Sequence, residues 1–353
     1  MEVLDDHFKD VQIFTKKQKQ MNSTVSSTIG EPFKYLSVAS LCLLAVAAIT
    51  INILSLVIIK KSKKILSRPS IHFTINLLIV DLLQGIFVIP IYAAKKINIQ
   101  NRSWDNFICD SFRFSYMITY YMSIFCVLLI GLDRYIATTF IFKYKALVKV
   151  KYVKIIVIAL WVYVVALCTI PFYLPEISAQ LLSQDECFYR QNTVWTITML
   201  VINCFVPYIL ILYFYKYIIK HIKDTEKVPI KKTSDVTQNV LAIPQMKDKF
   251  NDINSILCSN QKKTDYSKNI IKISILLSTC YAFFWTPSIV YYMLSKFCRD
   301  KCFLNLNPVS QTYLEFAIKF LAFLNSLSAP IIYCFTDKEF RLRFKSFKHK
   351  FIL

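Results

Sequence analysis

The stretch FSYMITYYMSIFCVLLIGLDRY, residues 114–135, decides the fold. Its first nineteen residues, up to Leu132, carry no charge. A helix rising ~1.5 Å per residue can cross ~30 Å of hydrocarbon over that length. The run then closes on Asp133-Arg134-Tyr135. An arginine just inside the end of a membrane helix is costly unless it is paired or reaches the interface, and Asp133 beside it offsets part of that cost. A charge kept there marks a functional site. The plainer reading, a span that simply stops at a charged pair among the headgroups, has to be weighed against the rest of the chain.

Working outward, hydrophobic residues make up 55% of the 353, too many for an ordinary soluble domain. Seven apolar runs are long enough to span, at 36–59, 69–94, 108–132, 155–175, 193–215, 273–295 and 313–335. Buried helices of a soluble protein would be shorter and would carry a polar face. The composition therefore predicts an all-α membrane protein, a seven-helix bundle over 36–335. A polar outer tail precedes it (1–35), and a basic inner segment follows it (336–353). With three glycines, phosphate-cradling loops are ruled out. The net charge of +21 sits in blocks flanking apolar runs, a pattern that fits membrane topology and anionic headgroups rather than nucleic acid. The four histidines are dispersed, and none pairs with cysteine at zinc spacing.

Lysine and arginine bias in the short loops orients the bundle. The first loop holds Lys60, Lys61, Lys63, Lys64 and Arg68, and the third holds Lys143, Lys145, Lys149, Lys151 and Lys154, with no acid in either. Both belong inside, so the N-terminus lies outside. The acceptor patterns at Asn22 and Asn101 then face the side where glycosylation occurs. The long inner loop, about 222–266, is polar, with a disordered middle and ends that prolong the fifth and sixth helices. Phe340, Phe344 and Phe347 recur at helical spacing in a basic context, predicting a short helix on the inner membrane surface. The alternative is a disordered basic tail. Outside the apolar runs, Cys109, Cys187, Cys298 and Cys302 are the disulfide candidates. Cys298 and Cys302 either close a small ring or stay free thiols.

Seven spans with Asp-Arg-Tyr ending the third resemble the rhodopsin-like (class A) G-protein-coupled receptors, with no subfamily assigned. The family's other motifs recur in order: Asn52 and Asp81, Trp161, Pro207 with Tyr215, Phe284-Trp285-Thr286-Pro287, and Asn325-Ser326-Leu327-Ser328-Ala329-Pro330-Ile331-Ile332-Tyr333. The resemblance implies a plasma-membrane, multi-pass receptor without catalytic chemistry. Its ligand is extracellular, its surroundings are the lipid bilayer, and its partner is a heterotrimeric G protein. It implies a switch built from Asp133, Arg134, Tyr135, Tyr215, Trp285, Pro287, Pro330 and Tyr333, with Phe142 as the inner-loop contact to the G protein. Pro207, Pro287 and Pro330 each remove a helical hydrogen bond and permit a bend. It also implies a disulfide between Cys109 and Cys187, and a sodium ion held by Asp81, Ser123, Asn325 and Ser326. A protonated, hydrogen-bonded Asp81 is the competing reading, and Ala329 removes the family's usual asparagine from that network. No other cofactor is expected. Ser267 stands where some members carry an acid that restrains the arginine, so restraint of Arg134 is expected to fall to Asp133 alone.

The ligand cavity implied between the third, fifth, sixth and seventh spans offers Arg113, Tyr116, Met117, Tyr120, Trp285 and Lys319, with Glu315 four residues before Lys319. Tyr116 stands where amine receptors carry an aspartate, and Phe323 where opsins carry the retinal lysine. Two cations among aromatics suit a small molecule with an anionic group or a peptide. Against this, Glu315 is spaced to pair with Lys319 and neutralise it. The alternatives are a receptor for an atypically bound amine and, in another class, a transporter. A transporter would show internal repeats, and a membrane enzyme would need paired catalytic groups at one depth, whereas Asp81 stands alone.

The topology has a direct test. An N-terminal epitope should be labelled on intact cells and a C-terminal one only after permeabilisation; both ends on one side would end the seven-span reading.

Overall fold

The computed structural model describes residues 31–97, 102–140, 142–173, 178–179, 190–191, 193–227, 247–298 and 308–352. Seven helices among them are long and apolar enough to cross a membrane: α1 (Pro32–Lys60), α2 (Ile71–Ile97), α3 (Phe107–Thr139), α4 (Val150–Tyr173), α5 (Thr193–His221), α6 (Asn269–Ser295) and α7 (Val309–Thr336). An eighth, α8 (Lys338–Ile352), follows α7 after a single non-helical residue. One turn of helix (Lys63–Leu66) links α1 to α2, and another (Tyr144–Leu147) lies between α3 and α4. Between α4 and α5, β1 (Ser178–Ala179) pairs antiparallel with β2 (Arg190–Gln191).

The helices overrun the apolar runs. The first begins at Glu31, inside the stretch read as tail. The helix containing α6 runs from Lys247 to Phe297, so twenty residues of the presumed loop, 247–266, are helical. Helices elongate by one hydrogen bond per residue once nucleated, whereas hydropathy reports only the part in lipid. The middle of that loop, Asn22, Asn101, Cys187 and Cys302 lie outside the described residues. Cys109 and Cys298 are each disulfide-bonded.

Prolines set the irregularities. A proline has no N–H for the carbonyl four residues earlier, and that carbonyl must be satisfied some other way in lipid. Pro90 and Pro207 each follow a π-helical turn, Gln84–Val88 and Val201–Phe205, and Pro330 follows a 3₁₀ turn, Asn325–Leu327. Pro330 deprives the Ser326 carbonyl of its helical donor. Asn52 Nδ2 from α1 supplies one at 2.9 Å, while also reaching Ala48 O at 2.8 Å. The α1–α7 contact is thus written by a proline on one helix and an amide on the other. A second tie joins three helices: Trp161 Nε1 donates to Asn76 Oδ1 (2.8 Å), and Asn76 Nδ2 to Cys126 Sγ (2.9 Å).

α8 is fixed to the inner end. Asp337 Oδ1 caps it by accepting from Phe340 N (3.0 Å), its other oxygen takes Arg68 at 3.1 Å, and Glu339 meets Lys64 at 2.8 Å. Phe340 is buried against Tyr333, and Phe344 packs beside the same cluster.

Replacing Asn52 by Ala leaves the Ser326 carbonyl with neither its helical nor its side-chain donor, at a cost of about 1–3 kcal/mol. Thermal unfolding in detergent should show a clearly lowered midpoint, whereas an unchanged midpoint would show that the α1–α7 tie contributes nothing.

Candidate functional site: an inner arginine clasp, a polar core and an outer aromatic cluster

At the inner end of α3, Arg134 and Asp133 are both buried, at 7% and 3% exposure. Arg134 Nε donates to Asp133 Oδ2 at 2.8 Å, and Nη2 donates to the same oxygen. Asp133 Oδ1 is taken by the hydroxyl of Tyr144 at 2.8 Å, and Arg134 Nη2 reaches that hydroxyl at 3.4 Å. Burial, then the neighbouring carboxylate, push the Tyr144 phenol up, so it stays a donor. The expectation that Asp133 alone restrains Arg134 is therefore corrected: a tyrosine of the second inner loop closes the clasp. That loop turns back under α3 because Lys143 and Tyr144 N–H both bond to Phe140 O. Phe142, in the same turn, is fully exposed.

The other inner-face residues each hold a separate partner. Tyr135 stacks on Phe214 of α5, with centroids 5.1 Å apart. The Tyr215 hydroxyl accepts from Ser278 Oγ of α6 at 3.1 Å, and the Tyr333 hydroxyl shares a 2.7 Å bond with Thr74 Oγ1 of α2. Arg134 is thus enclosed rather than presented to the cytosol.

In mid-bundle, Asp81 and Ser123 are fully buried, and both Asp81 oxygens and Ser123 Oγ lack a protein partner. Asp81 lies in electrostatic range of Cys126, one turn along α3 from Ser123. Asn325 and Ser326 are buried on α7, where Ser326 Oγ donates to Phe323 O at 2.8 Å. One carboxylate with both oxygens unpartnered, beside neutral oxygens of which Ser123 Oγ is also unpartnered, fits a hard cation. No cluster of three or more histidine, cysteine or acidic side chains exists among the described residues for a transition metal.

Outward of this, Trp285 is buried against Tyr120 (4.9 Å), Tyr116 (5.5 Å) and Tyr281 (6.0 Å). The helix carries Pro287 two residues on. Tyr116 shares a 2.8 Å bond with Ser288 Oγ of α6, and Lys319 Nζ lies 4.1 Å from the Tyr116 ring centroid, a cation–π contact. Lys319 does not pair with Glu315, although helical spacing predicts it. The Glu315 carboxylate lies instead in the field of Lys95, Lys96 and Lys319 together. Lys95 and Lys96, at the end of α2, were invisible to a reading of single helices. Arg113 sits over Phe172 of α4 at 4.5 Å. Met117 also turns to α4, packing with Cys168 and Val164 rather than with Tyr116 and Trp285. A residue next to Tyr116 points about 100° away on the helix, so, contrary to the expectation from sequence, Met117 does not join Tyr116 and Trp285 in the aromatic cluster.

The sequence matches the family described as "7 transmembrane receptor (rhodopsin family)" over residues 51–333. The chain belongs to that family. The receptor is similar, over most of its length, to the 5-hydroxytryptamine receptor 1B of Mus musculus, with 24% identity covering 92% of this chain and 89% of the relative. The horse and human receptors of the same name are 22% and 23% identical, each covering 92% of this chain and 88% of the relative. As a family member the receptor is a multi-pass plasma-membrane protein and not an enzyme.

Tyr144→Phe removes one donor to the buried Asp133 and leaves the fold's packing in place. Losing about 0.5–1.5 kcal/mol from the closed state should raise ligand-independent nucleotide exchange about 2–10-fold in a reconstituted assay; wild-type basal exchange would mean the clasp does not need Tyr144.

Proposed function

We propose that the receptor answers an extracellular ligand bearing an anionic group, a small molecule or a peptide, and passes the signal to a heterotrimeric G protein. The observation that carries the ligand class is the charge balance at the outer ends of α2 and α7. The Glu315 carboxylate lies in the field of Lys95, Lys96 and Lys319, and the Lys319 ammonium lies over the Tyr116 ring. A carboxylate, sulfate or phosphate placed there gains charge-assisted hydrogen bonds from Lys319 and its neighbours. An ammonium ligand would meet Lys319 over the very tyrosine that occupies the amine-pairing position. Although the relatives are named for an amine, that placement argues against an amine here.

On the inner side, the ligand shifts the bundle toward a packing in which Arg134 leaves Asp133 and Tyr144. This requires tighter binding to the open state than to the closed one. A permanent cation suits both states, since it is held by a carboxylate in one and reaches backbone carbonyls of a partner in the other. Phe142, already exposed, adds an apolar contact, and the lysine-rich inner loops add long-range attraction. A sodium ion held by Asp81, Ser123, Asn325 and Ser326 would supply positive charge to the buried carboxylate and favour the closed packing.

A library of acidic metabolites, lipids and peptides read through several G-protein sensors identifies the ligand. With an acidic agonist in hand, Lys319→Ala should lower potency about 10–100-fold, the loss of one charged hydrogen bond. Arg134→Ala should silence signalling at normal surface expression. Agonists that are exclusively amines, or potency untouched by Lys319→Ala, would overturn the anionic-ligand reading while leaving the G-protein coupling intact.

A further inference from the structure

We propose that Gln84 is a ligand of the cation held at Asp81, replacing the oxygen that Ala329 fails to provide; this rests on the sodium reading above. Gln84 is a polar side chain in the middle of a span, fully buried. It stands three residues after Asp81, and its N–H bonds the carbonyls of Asp81 and Val80. The turn between them is therefore regular, and the two side chains share one face of α2. The π turn begins at Gln84 itself.

The amide's orientation is fixed by chemistry. Its Nε2 donates to Phe323 O at 3.3 Å. A carbonyl only accepts, so the NH₂ must face it, and Oε1 faces the other way. That Oε1 is buried without a protein partner, as are both Asp81 oxygens, Ser123 Oγ and Asn52 Oδ1. The residues around it are tied to one another. Phe323 O also accepts from Ser326 Oγ, and Ser326 O accepts from Asn52 Nδ2. The hydrogen bonds that hold Gln84, Ser326 and Asn52 in place thus spend their donors on backbone carbonyls and leave the two amide oxygens, like both oxygens of Asp81, without a donor. The acceptor-only oxygens in this set, both of Asp81, Gln84 Oε1 and Asn52 Oδ1, are what a hard cation satisfies. On α7, Ala329 is fully buried and brings no oxygen. The missing ligand is supplied from α2, one turn outward of Asp81.

The test is the sodium dependence of thermal unfolding of the purified, ligand-free receptor. Sodium is titrated against potassium and against choline at constant ionic strength. Wild type should be stabilised by sodium specifically, and Asp81→Asn should lose the effect. Gln84→Met, nearly isosteric without the oxygen, should raise the half-saturating sodium concentration about tenfold. Adding Ala329→Asn to Gln84→Met should restore part of it. Should Gln84→Met not fold, Gln84→Asn, whose shorter amide withdraws the oxygen, gives the same readout. A wild type indifferent to sodium, or equally stabilised by potassium, overturns the ion site and the role of Gln84 together. A sodium effect lost in Asp81→Asn but unchanged in Gln84→Met and Gln84→Asn overturns Gln84 alone.

Discussion

A guanidinium at the edge of hydrocarbon cannot be left without acceptors, and the inner half of the receptor is arranged around that constraint. Arg134 is satisfied from its own helix by Asp133, and Tyr144 ties the same carboxylate to the second inner loop. Truncating one partner of a buried pair costs more than the pair contributes, because the remaining charge stays buried. In the proposed mechanism, Arg134 would have two comfortable situations, enclosed against Asp133 or offered to acceptors from a partner protein, with an expensive passage between them. The clasp would then bias the resting packing without making it irreversible.

The rest of the bundle is joined at its proline positions. Prolines on α2, α5 and α7 remove backbone donors, and each follows a turn of altered pitch. The clearest case is Ser326 O, which takes Asn52 in place of the donor that Pro330 removed. Such joints tie helices by polar contacts of definite geometry while leaving each helix a place to bend. Trp285 packs with Tyr116 and Tyr120 of α3 and Tyr281 of α6, so in the proposed mechanism a ligand that moves α6 against α3 would have to repack this aromatic cluster.

Much of this was legible in the sequence, for physical reasons. Lipid imposes length and apolarity on a span, so the seven runs announced themselves, and a charge pair kept at the end of the third is too costly to be incidental. Helix ends beyond the lipid were not legible, since hydropathy falls silent where helical propensity continues; hence the early start at Glu31 and the long inner extension from Lys247. Side-chain facing was also hidden. Where every face of a helix is apolar, periodicity does not say that Met117 looks to α4 while Tyr116 looks to α6. The partners missed, Tyr144 under Arg134 and Lys95 and Lys96 around Glu315, come from other segments, and no reading of single helices brings them together. Gln84 did carry a signal, being an amide three residues from a buried carboxylate in an otherwise apolar run.

The account turns on the clasp holding the inner face closed. It is tested most directly by the distance between spin labels at Lys151 and Lys272, exposed positions at the inner ends of α4 and α6, measured in Asp133→Asn and in wild type without ligand. Freed from its carboxylate, Arg134 no longer favours the enclosed packing, and the distribution in the variant should gain a longer-distance population. Identical distributions in the two proteins would show that the inner face is held closed by something other than this pair.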